Sequence, residues 1–287
     1  MLEHVINGLV LGGTYALVAM GLTIQYGIAR IMNLSFGDTI IAACFATYVL
    51  FSSFAISPVL ALLILVPAGY AFSLVIYRVI MRPLVARAPD EGALEVDSIL
   101  VTFGLLFVIQ GVLLIFFGGG YTSYSFLNTP VNVLGTVVAG NRLLAVVLSL
   151  LIGLALIVIL YRTRWGMILR AVALSPQNAP LFGIDTDRAA RTAFAIGGAM
   201  AATVGVVVSM FQTFTATAGV VFTMKALIVV ILGGKGSVLG AVVAGLLLGL
   251  VETFVAAYID PGLTLAAVYG VFLLLLLVRP NGIFGKA

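Results

Sequence analysis

Charge is scarce in this sequence. Asp, Glu, Lys and Arg make up 8% of the 287 residues, whereas 63% of the residues are hydrophobic and the mean hydropathy is +1.27. An ordinary soluble domain is about 25% charged, and a soluble chain this apolar would lack the polar residues needed to cover its surface. The composition therefore excludes an ordinary soluble protein and predicts an all-α, polytopic integral membrane protein.

Histidine and cysteine are almost absent. His4 is the only histidine and lies near the start of the chain, and Cys44 is the only cysteine and lies in an apolar run. A zinc site takes several His or Cys ligands, a disulfide takes two cysteines, and no Ser-His-Asp triad can be assembled without a second histidine. We therefore predict no catalytic residue, no metal site and no disulfide in this chain.

Nucleotide-binding motifs are missing as well. Residues 232–240, LGGKGSVLG, superficially resemble a phosphate loop, but Gly236 separates Lys235 from Ser237, whereas the Walker pattern requires Gly-Lys-Ser/Thr in succession. The dinucleotide-binding pattern also fails, because its third glycine would fall on Leu239. We therefore expect no nucleotide cofactor on this chain.

Long apolar runs dominate what is present, and each run of about 20 residues predicts one membrane span. The predicted spans are residues 5–28, 39–54, 58–77, 98–117, 143–161, 192–211, 238–258 and 263–278. A ninth run, residues 224–232, would form a helix of only about 14 Å, half of a 30 Å hydrocarbon core. Irregular backbone beside such a piece is tolerated only inside protein or along a wet cavity. The sequence thus predicts one transmembrane domain over residues 1–287 with eight or nine crossings, some broken or half-length.

Basic residues are distributed unevenly over the segments between the spans. These segments include a polar link at 30–38, a charged loop at 78–97 and a polar loop at 118–141. With nine crossings, 12 of the 14 Lys and Arg residues, Lys235 among them, fall on one side, and only Arg142 and Lys225 fall on the other. Because basic loops face the cytoplasm, we expect an outside N-terminus and a cytoplasmic C-terminus. The net charge of +4 indicates this bias rather than nucleic-acid binding.

Residues 162–191 are one of the few long polar interruptions, and they carry five arginines. Ser175 followed by Pro176 predicts a helix start, with a capping hydroxyl and a proline at the first helical position. Gly183 predicts its end. A helix of about two turns is too short to be stable alone. We hypothesise that it lies on a partner at the membrane surface and passes force between that partner and the membrane.

A few polar side chains interrupt the predicted spans or their edges. Because ionisable groups at membrane depth cost several kcal/mol, they are candidate functional residues. Asp38 also fits a helix N-terminus, where the dipole favours a negative charge, and Glu252 could either line a pathway or reach the outer interface. The candidate pathway or gate residues are Gln25, Asn33, Asp38, Gln110, Gly233, Gly234, Gly236, Ser237 and Glu252. Glycines spaced four apart, at 236/240 and 245/249, predict either close packing within the bundle or a moving or dimerising interface.

Five segments in order resemble one family. They are residues 7–22 with an N-G-L-x-x-G-x-x-Y-A-L pattern, Asn33 with Gly37-Asp38, residues 164–185, residues 233–252 with G-G-x-G-S-x-x-G-A, and residues 279–285 with R-P-x-G-x-F-G. Together they resemble the permease subunits of branched-chain amino acid ABC importers, specifically the first of the two paired permeases. Two places depart from that pattern: Leu174, Gln177, Asn178 and Pro180 replace charged residues, and Ala42-Ala43-Cys44 replaces G-A-Y.

The resemblance implies a subunit in a bacterial inner membrane that forms a pathway with a second homologous permease. Two cytoplasmic ATPases, which hold ATP and Mg, and a periplasmic substrate-binding protein would be its partners, together with membrane lipid and no nucleic acid. The implied ATPase-coupling residues are Trp165, Gly166, Arg170, Ala171, Ser175, Pro176, Ala179, Leu181, Phe182, Gly183 and Asp185. The solute that the resemblance implies is a branched-chain or related amino acid, and the sequence does not specify which amino acid or amide-like solute is carried. The alternative is an ion-coupled secondary transporter or channel of another fold, which the scarcity of intramembrane carboxylates disfavours.

Overall fold

The computed structural model describes residues 1–133, 136–234, 236–280 and 282–284, and its architecture is almost entirely helical. In chain order the elements are α1 (Leu2–Ala29), α2 (Phe36–Phe54), α3 (Pro58–Ile76), a π-helical turn (Tyr77–Met81), α4 (Arg82–Arg87), α5 (Glu91–Phe117), β1 (Pro130–Val133), β2 (Thr136–Ala139), α6 (Gly140–Arg162), α7 (Arg164–Leu174), a 3-10 turn (Ala179–Phe182), α8 (Thr186–Ser209), α9 (Gly219–Gly233), α10 (Val238–Tyr258), a 3-10 turn (Pro261–Leu263) and α11 (Thr264–Val278).

Within the described residues, eight helical segments are long and apolar enough to cross a membrane. This confirms the all-α polytopic prediction. The ninth apolar segment, α9, has 15 residues rather than the nine of the predicted run, because it begins at Gly219. At about 22 Å it is still shorter than the hydrocarbon core.

The prediction of a charged loop at residues 78–97 was wrong. The chain stays helical through the π turn and α4, and only three residues separate Arg87 from Glu91. The break is local because Pro89 disfavours helix at the residue before it, and Asp90 then accepts a hydrogen bond from Ala93 N at 2.7 Å to cap α5. Arginine at a helix end keeps its guanidinium in water while its stem lies along apolar surface, so charge alone does not end a helix.

The segment 118–141, predicted as a polar loop, contains a small antiparallel hairpin. β1 pairs with β2 in register from Pro130 with Ala139. Phe214 joins the same end of the molecule through an isolated bridge to Thr122, with backbone hydrogen bonds of 2.9 and 3.0 Å. This end therefore has regular structure that the composition of the segment did not indicate.

Helix α8 lies at the centre of the bundle and packs against α1, α2 and α3. Glycines on α8 permit this close packing. Gly197 packs against Gln25 of α1, Gly198 against Ser73 of α3, and Gly205 against Ala43 of α2. A Cβ atom at any of the three would collide with its neighbour. Small residues at helix contacts allow close approach where no water drives association.

Helices α1 and α10 form the most extensive pair in the bundle. Small residues on both helices form this contact, since Gly249 packs against the Gly12 backbone and Gly245 packs against the Ala16 backbone. Of the two alternatives for the 245/249 pair, the structure shows close packing inside this chain. In contrast, α11 leaves most of its apolar surface uncovered.

Candidate functional site

The link between α1 and α2 is folded into the bundle rather than lying at its surface. Helix α1 ends at Ala29, Arg30 adopts a left-handed φ of 55°, and Ile31, Asn33 and Ser35 are buried. Phe36, the first residue of α2, lies against Gly21, two turns back along α1. The structure thus has irregular backbone inside the protein at this link, where the sequence predicted only a short polar connection.

Hydroxyl side chains of α5 support the link backbone. Met32 N donates to Ser98 Oγ at 3.1 Å, and Leu34 N donates to Thr102 Oγ1 at 3.0 Å. The Thr102 hydroxyl also contacts the Met32 carbonyl at 3.1 Å. Backbone groups removed from water must find partners within the protein, and these two side chains supply them.

Thr223 of α9 completes this support. Its hydroxyl donates to the Leu34 carbonyl at 3.0 Å and accepts from Gly37 N at 2.9 Å. Gly37 itself packs on the Gly219 carbonyl, so a side chain at Gly37 would collide with the α9 backbone. The start of α2 is therefore attached to the short helix α9.

Two predicted pathway residues, Gln25 and Asn33, form one buried amide network. Gln25 Nε2 donates to the Phe194 carbonyl at 2.9 Å, and Asn33 Nδ2 donates to Gln25 Oε1 at 3.2 Å. Asn33 Oδ1 accepts from both the backbone and the hydroxyl of Ser35, at 3.0 and 2.7 Å. Gln110 is half-buried on α5, and no hydrogen bond within the described part of the chain joins it to this network.

Asp38 is fully buried in the first turn of α2 and lies against Gly219, the first residue of α9. Neither carboxylate oxygen has a hydrogen-bond partner among the described residues. The carboxylate is therefore beside the positive ends of two helices, α2 and α9, which favour a negative charge.

The glycine-rich turn between α9 and α10 is built for close approach. Gly233 packs on the backbone of Gly240, and Gly234 and Gly236 have φ values of 97° and 80°, a region that favours glycine. Ser237 caps α10 by accepting from Gly240 N at 3.0 Å. Lys235 lies outside the described residues, so its predicted side is not tested by the structure.

The C-terminal R-P-x-G segment closes the end of α9. Ile283 N donates to the Leu232 carbonyl at 2.8 Å, and Phe284 N donates to the Gly233 carbonyl at 3.2 Å. These bonds satisfy two of the last carbonyls of α9, which have no partner within the helix. In this chain the tail motif therefore completes the backbone hydrogen bonding at the end of α9.

Glu252 forms an ion pair that the sequence prediction missed. Lys225 Nζ lies 2.7 and 2.9 Å from the two Glu252 carboxylate oxygens, and the Tyr15 hydroxyl donates to Glu252 Oε2 at 2.8 Å. Lys225 also donates to the Tyr15 hydroxyl at 2.6 Å. The Lys225 and Glu252 side chains are only 12% and 15% exposed. Lys225 was predicted in the short run 224–232 and counted on the outer side, and it lies within α9. Its apolar flanks and an opposite charge in the next apolar run were the available signals for the pair.

The predicted coupling segment begins at the corner between α6 and α7. Thr163 caps α7 by accepting from Gly166 N at 3.1 Å, and Gly166 is packed against the Leu160 backbone so that no side chain fits there. Arg170 lies 4.8 Å above the Tyr161 ring, a cation–π contact that ties α7 to α6. Trp165 is exposed.

The prediction that Ser175 and Pro176 start a helix was wrong. Ser175 instead ends α7, and a turn follows before the 3-10 turn Ala179–Phe182. Pro180 fits near the start of that turn, where its missing N–H is not needed, so the segment avoids the cost of proline inside a helix. Gly183 ends the turn with φ 73°, which confirms its predicted role.

Leu181 and Phe182 project from this 3-10 turn, and each is 82% exposed. Ala179 anchors the turn by its burial, and Asp185 caps α8 by accepting from Arg188 N at 2.9 Å. The other predicted coupling residue in α7, Ala171, is half-buried. The predicted coupling residues therefore form one continuous end of the molecule, with a firmly supported apolar tip.

The opposite end of α8, about 36 Å away for a 24-residue helix, borders a polar cavity of about 480 Å³. Its lining includes Tyr124, Asn141, Arg142, Ser209 and Gln212. Tyr124 and Ser209 share a hydroxyl hydrogen bond of 2.8 Å, and burial raises the pKa of Tyr124 to about 12. The cavity lies at the end of the molecule that carries the hairpin.

These features define a polytopic helical membrane protein, with spanning helices around a buried irregular backbone and an ion pair between α9 and α10. The model of the family described as "Branched-chain amino acid transport system / permease component" matches residues 4–278. The chain therefore belongs to this family and is a transport permease.

Individual relatives agree with this assignment over nearly the whole chain. The chain is 29% identical to the high-affinity branched-chain amino acid transport system permease protein LivH of Escherichia coli K12, covering 99% of this chain and 96% of that protein. It is 26% identical, with the same coverage, to the corresponding permease BraD of Pseudomonas aeruginosa. It is 27% identical to a probable LivH of Methanocaldococcus jannaschii, covering 94% and 88%. No solved structure matches.

Proposed function

We propose that this chain is one permease half of an ATP-driven importer for branched-chain or related amino acids, specifically the first of two paired permeases. Residues 1–287 act as one transmembrane domain that forms the pathway with a second homologous permease. Two cytoplasmic ATPases supply the energy and hold ATP and Mg, so this chain has no cofactor and no catalytic role of its own. A periplasmic binding protein delivers the solute. The printed names of the relatives support the solute class.

The observation that carries the proposal is the exposed tip Leu181–Phe182 at one end of α8. Large apolar side chains exposed together mark a protein contact, and aromatic residues are enriched at such contacts. The tip rests on buried Ala179 and ends at Gly183, so its position relative to α8 is defined. This arrangement suits a surface that receives force from a separate motor.

The arginines of this end support a cytoplasmic position for the tip. Arg82 Nε lies 3.7 Å from Asp187 Oδ2, which brings the basic residues of the π-helical turn and α4 to the same end as residues 162–191. The positive-inside rule then favours an outside N-terminus and a cytoplasmic C-terminus in a bacterial inner membrane. The end with the hairpin and the polar cavity would face the binding protein.

The path of force follows from the packing. Closure of the ATPase dimer would push on α7 and the 3-10 turn, and Asp185 joins that turn directly to the start of α8. Because α8 is the central helix and contacts α1, α2 and α3, its displacement would move helices on several sides at once. The helices would then open the pathway alternately to either side of the membrane.

A decisive experiment changes the tip without touching the bundle. In the purified transporter, Leu181→Asp combined with Phe182→Asp should abolish recovery of the ATPases with the permease pair and ATP-driven uptake in proteoliposomes. Tyr121→Asp is the matched control, since Tyr121 is 85% exposed at the other end and should leave ATPase recovery unchanged. Full recovery of the ATPases with the Leu181 and Phe182 variant would refute the proposed coupling surface.

The energy source for uptake distinguishes the importer from the alternative, an ion-coupled transporter of another fold. Uptake driven by an ion gradient in liposomes containing this chain without ATPases would support that alternative. Uptake that requires ATP and the ATPases supports the importer.

A further inference from the structure

The ion pair between α9 and α10 is neither sealed nor freely exposed. Lys225 and Glu252 are 12% and 15% exposed, and on α9 the neighbouring side chains Val220, Val221 and Met224 are exposed. Val221 precedes Lys225 by four residues, which places both on one face of the helix. The pair and an apolar strip thus share a surface of the short helix.

Such a surface is unsuited to lipid. Charged side chains within a membrane face the bundle interior, a partner or a water-filled cavity, because exposure to hydrocarbon is costly. In the proposed importer, the two surroundings that meet this condition are the second permease and the pathway between the two chains. Of these two surroundings, the pathway is the one in which the exposed part of Lys225 and Glu252 could contact a solute.

A zwitterionic amino acid carries the same two charges as the pair, on adjacent groups. We propose that Lys225, Glu252 and Tyr15 form an intramembrane recognition site for the amino acid head group. The α-carboxylate would accept from Lys225 Nζ and from the Tyr15 hydroxyl, and the α-ammonium would donate to Glu252. Val221 and Met224 would contact the aliphatic side chain of the solute.

The exchange of partners is balanced in charge. In the structure Lys225 and Glu252 neutralise one another, with Tyr15 donating to the carboxylate. When the zwitterion enters, each residue exchanges one opposite charge for another, so no charge is left unpaired at any stage, and the pair re-forms when the solute leaves. A neutral amide-like solute offers no such exchange, so the site would select amino acids. This inference rests on the proposed function and adds the residues that would hold the solute's head group.

The test uses the complete transporter in proteoliposomes, with both permeases, both ATPases and the binding protein. Radiolabelled leucine, isoleucine and valine are the probes, with acetamide as the neutral comparison. Lys225→Met combined with Glu252→Gln removes both charges together and leaves neither buried alone. We expect leucine uptake to fall at least tenfold, while the variant permease is still recovered with its partner subunits. Tyr15→Phe keeps the ion pair and should lower uptake severalfold.

A second measurement does not depend on the stability of any variant. Leucine binding to the wild-type transporter without its binding protein is followed by saturation-transfer NMR, with isopentylamine and 4-methylpentanoate as competitors that each lack one charge. Neither analogue should displace leucine at concentrations where isoleucine does.

The outcomes separate the two levels of the proposal. Wild-type uptake of leucine in the double-charge variant, or equal displacement by the singly charged analogues, would overturn the recognition site and leave the importer intact. ATP-driven uptake of acetamide but of no amino acid would also overturn it. If the wild-type assembly shows no ATP-driven uptake of any probe, the proposed function fails, and the recognition site fails with it.

Discussion

The hydroxyl of Thr223 holds the start of α2 to α9, and its removal should loosen α2 measurably. Thr223→Val keeps the shape of the side chain but leaves the buried Gly37 N–H and the half-buried Leu34 carbonyl without this partner. A buried unsatisfied group costs about 1–3 kcal/mol, and an ordinary hydrogen bond contributes about 0.5–1.5 kcal/mol. We therefore expect a loss of about 2–4 kcal/mol in the stability of the α2 contact.

The single cysteine provides the assay. Cys44 is buried between α2 and α8, where its thiol contacts the Gly205 carbonyl at 3.2 Å. In a transporter with cysteine-free partner subunits, a thiol-reactive dye labels the chain only when α2 opens. When closing is faster than labelling, the rate follows the open population. Since about 1.4 kcal/mol is a factor of ten, the change of about 2 kcal/mol or more predicts labelling at least about thirtyfold faster.

Thr223→Ser is the control, because it keeps the hydroxyl and should label within a few-fold of the wild type. Interhelical hydrogen bonds in a bilayer average only about 0.6 kcal/mol. If Thr223→Val accelerates labelling by no more than the threefold that this value implies, the hydroxyl is an ordinary side-chain contact. The conclusion that it anchors the link backbone would then be wrong.

Three further changes test the packing, the polar end and the tail. Gly12→Val places a Cβ atom 2.8 Å from Leu246 Cα on α10. It should destabilise the assembly by about 1–3 kcal/mol and lower its melting temperature. Gly104→Ala is the control, because a Cβ atom there has nothing within 4 Å and should be neutral or stabilising. Folding raises the pKa of Tyr124 from 10.0 to about 12, so the folded state holds the phenol proton more tightly than the unfolded state. This stabilisation is present below pH about 10 and is lost as the pH rises to about 12. In Tyr124→Phe, the fall in melting temperature between these two pH values should therefore be smaller than in the wild type. Deleting residues 279–287 removes the bonds to the end of α9 and should lower the melting temperature, and an unchanged value would contradict the proposed closure of α9.

Most of the helical layout followed from hydrophobicity alone. The segment now assigned to α10 was predicted with its observed bounds, and the segment of α1 within three residues at its start, because long apolar runs have few alternative structures in a membrane. The error at residues 78–97 arose because charge was taken as the end of a helix, while Pro89 and Asp90 mark the real break.

The contacts of the site were harder to predict from the sequence than the helices, because they join residues that are far apart in the chain. Gln25 and Asn33 were singled out as polar, but their mutual hydrogen bond depends on the link folding back along α1. Glu252 was recognised without its partner, since the pair with Lys225 depends on how α9 packs beside α10, which hydrophobicity alone does not indicate. The roles predicted for these residues, and for Asp38 and the coupling segment, stay predictions.

The hydrogen bonds from Ile283 and Phe284 to the end of α9 also set an order of events during biosynthesis. Proteins begin to fold from the N-terminal part while synthesis continues, yet the last carbonyls of α9 obtain these partners only after some fifty more residues, including all of α10 and α11, have been made. The glycine turn that follows α9 is therefore among the last parts of the described chain to be completed. A bulky fusion placed directly behind residue 284 would interfere with this late step before it affected any earlier helix.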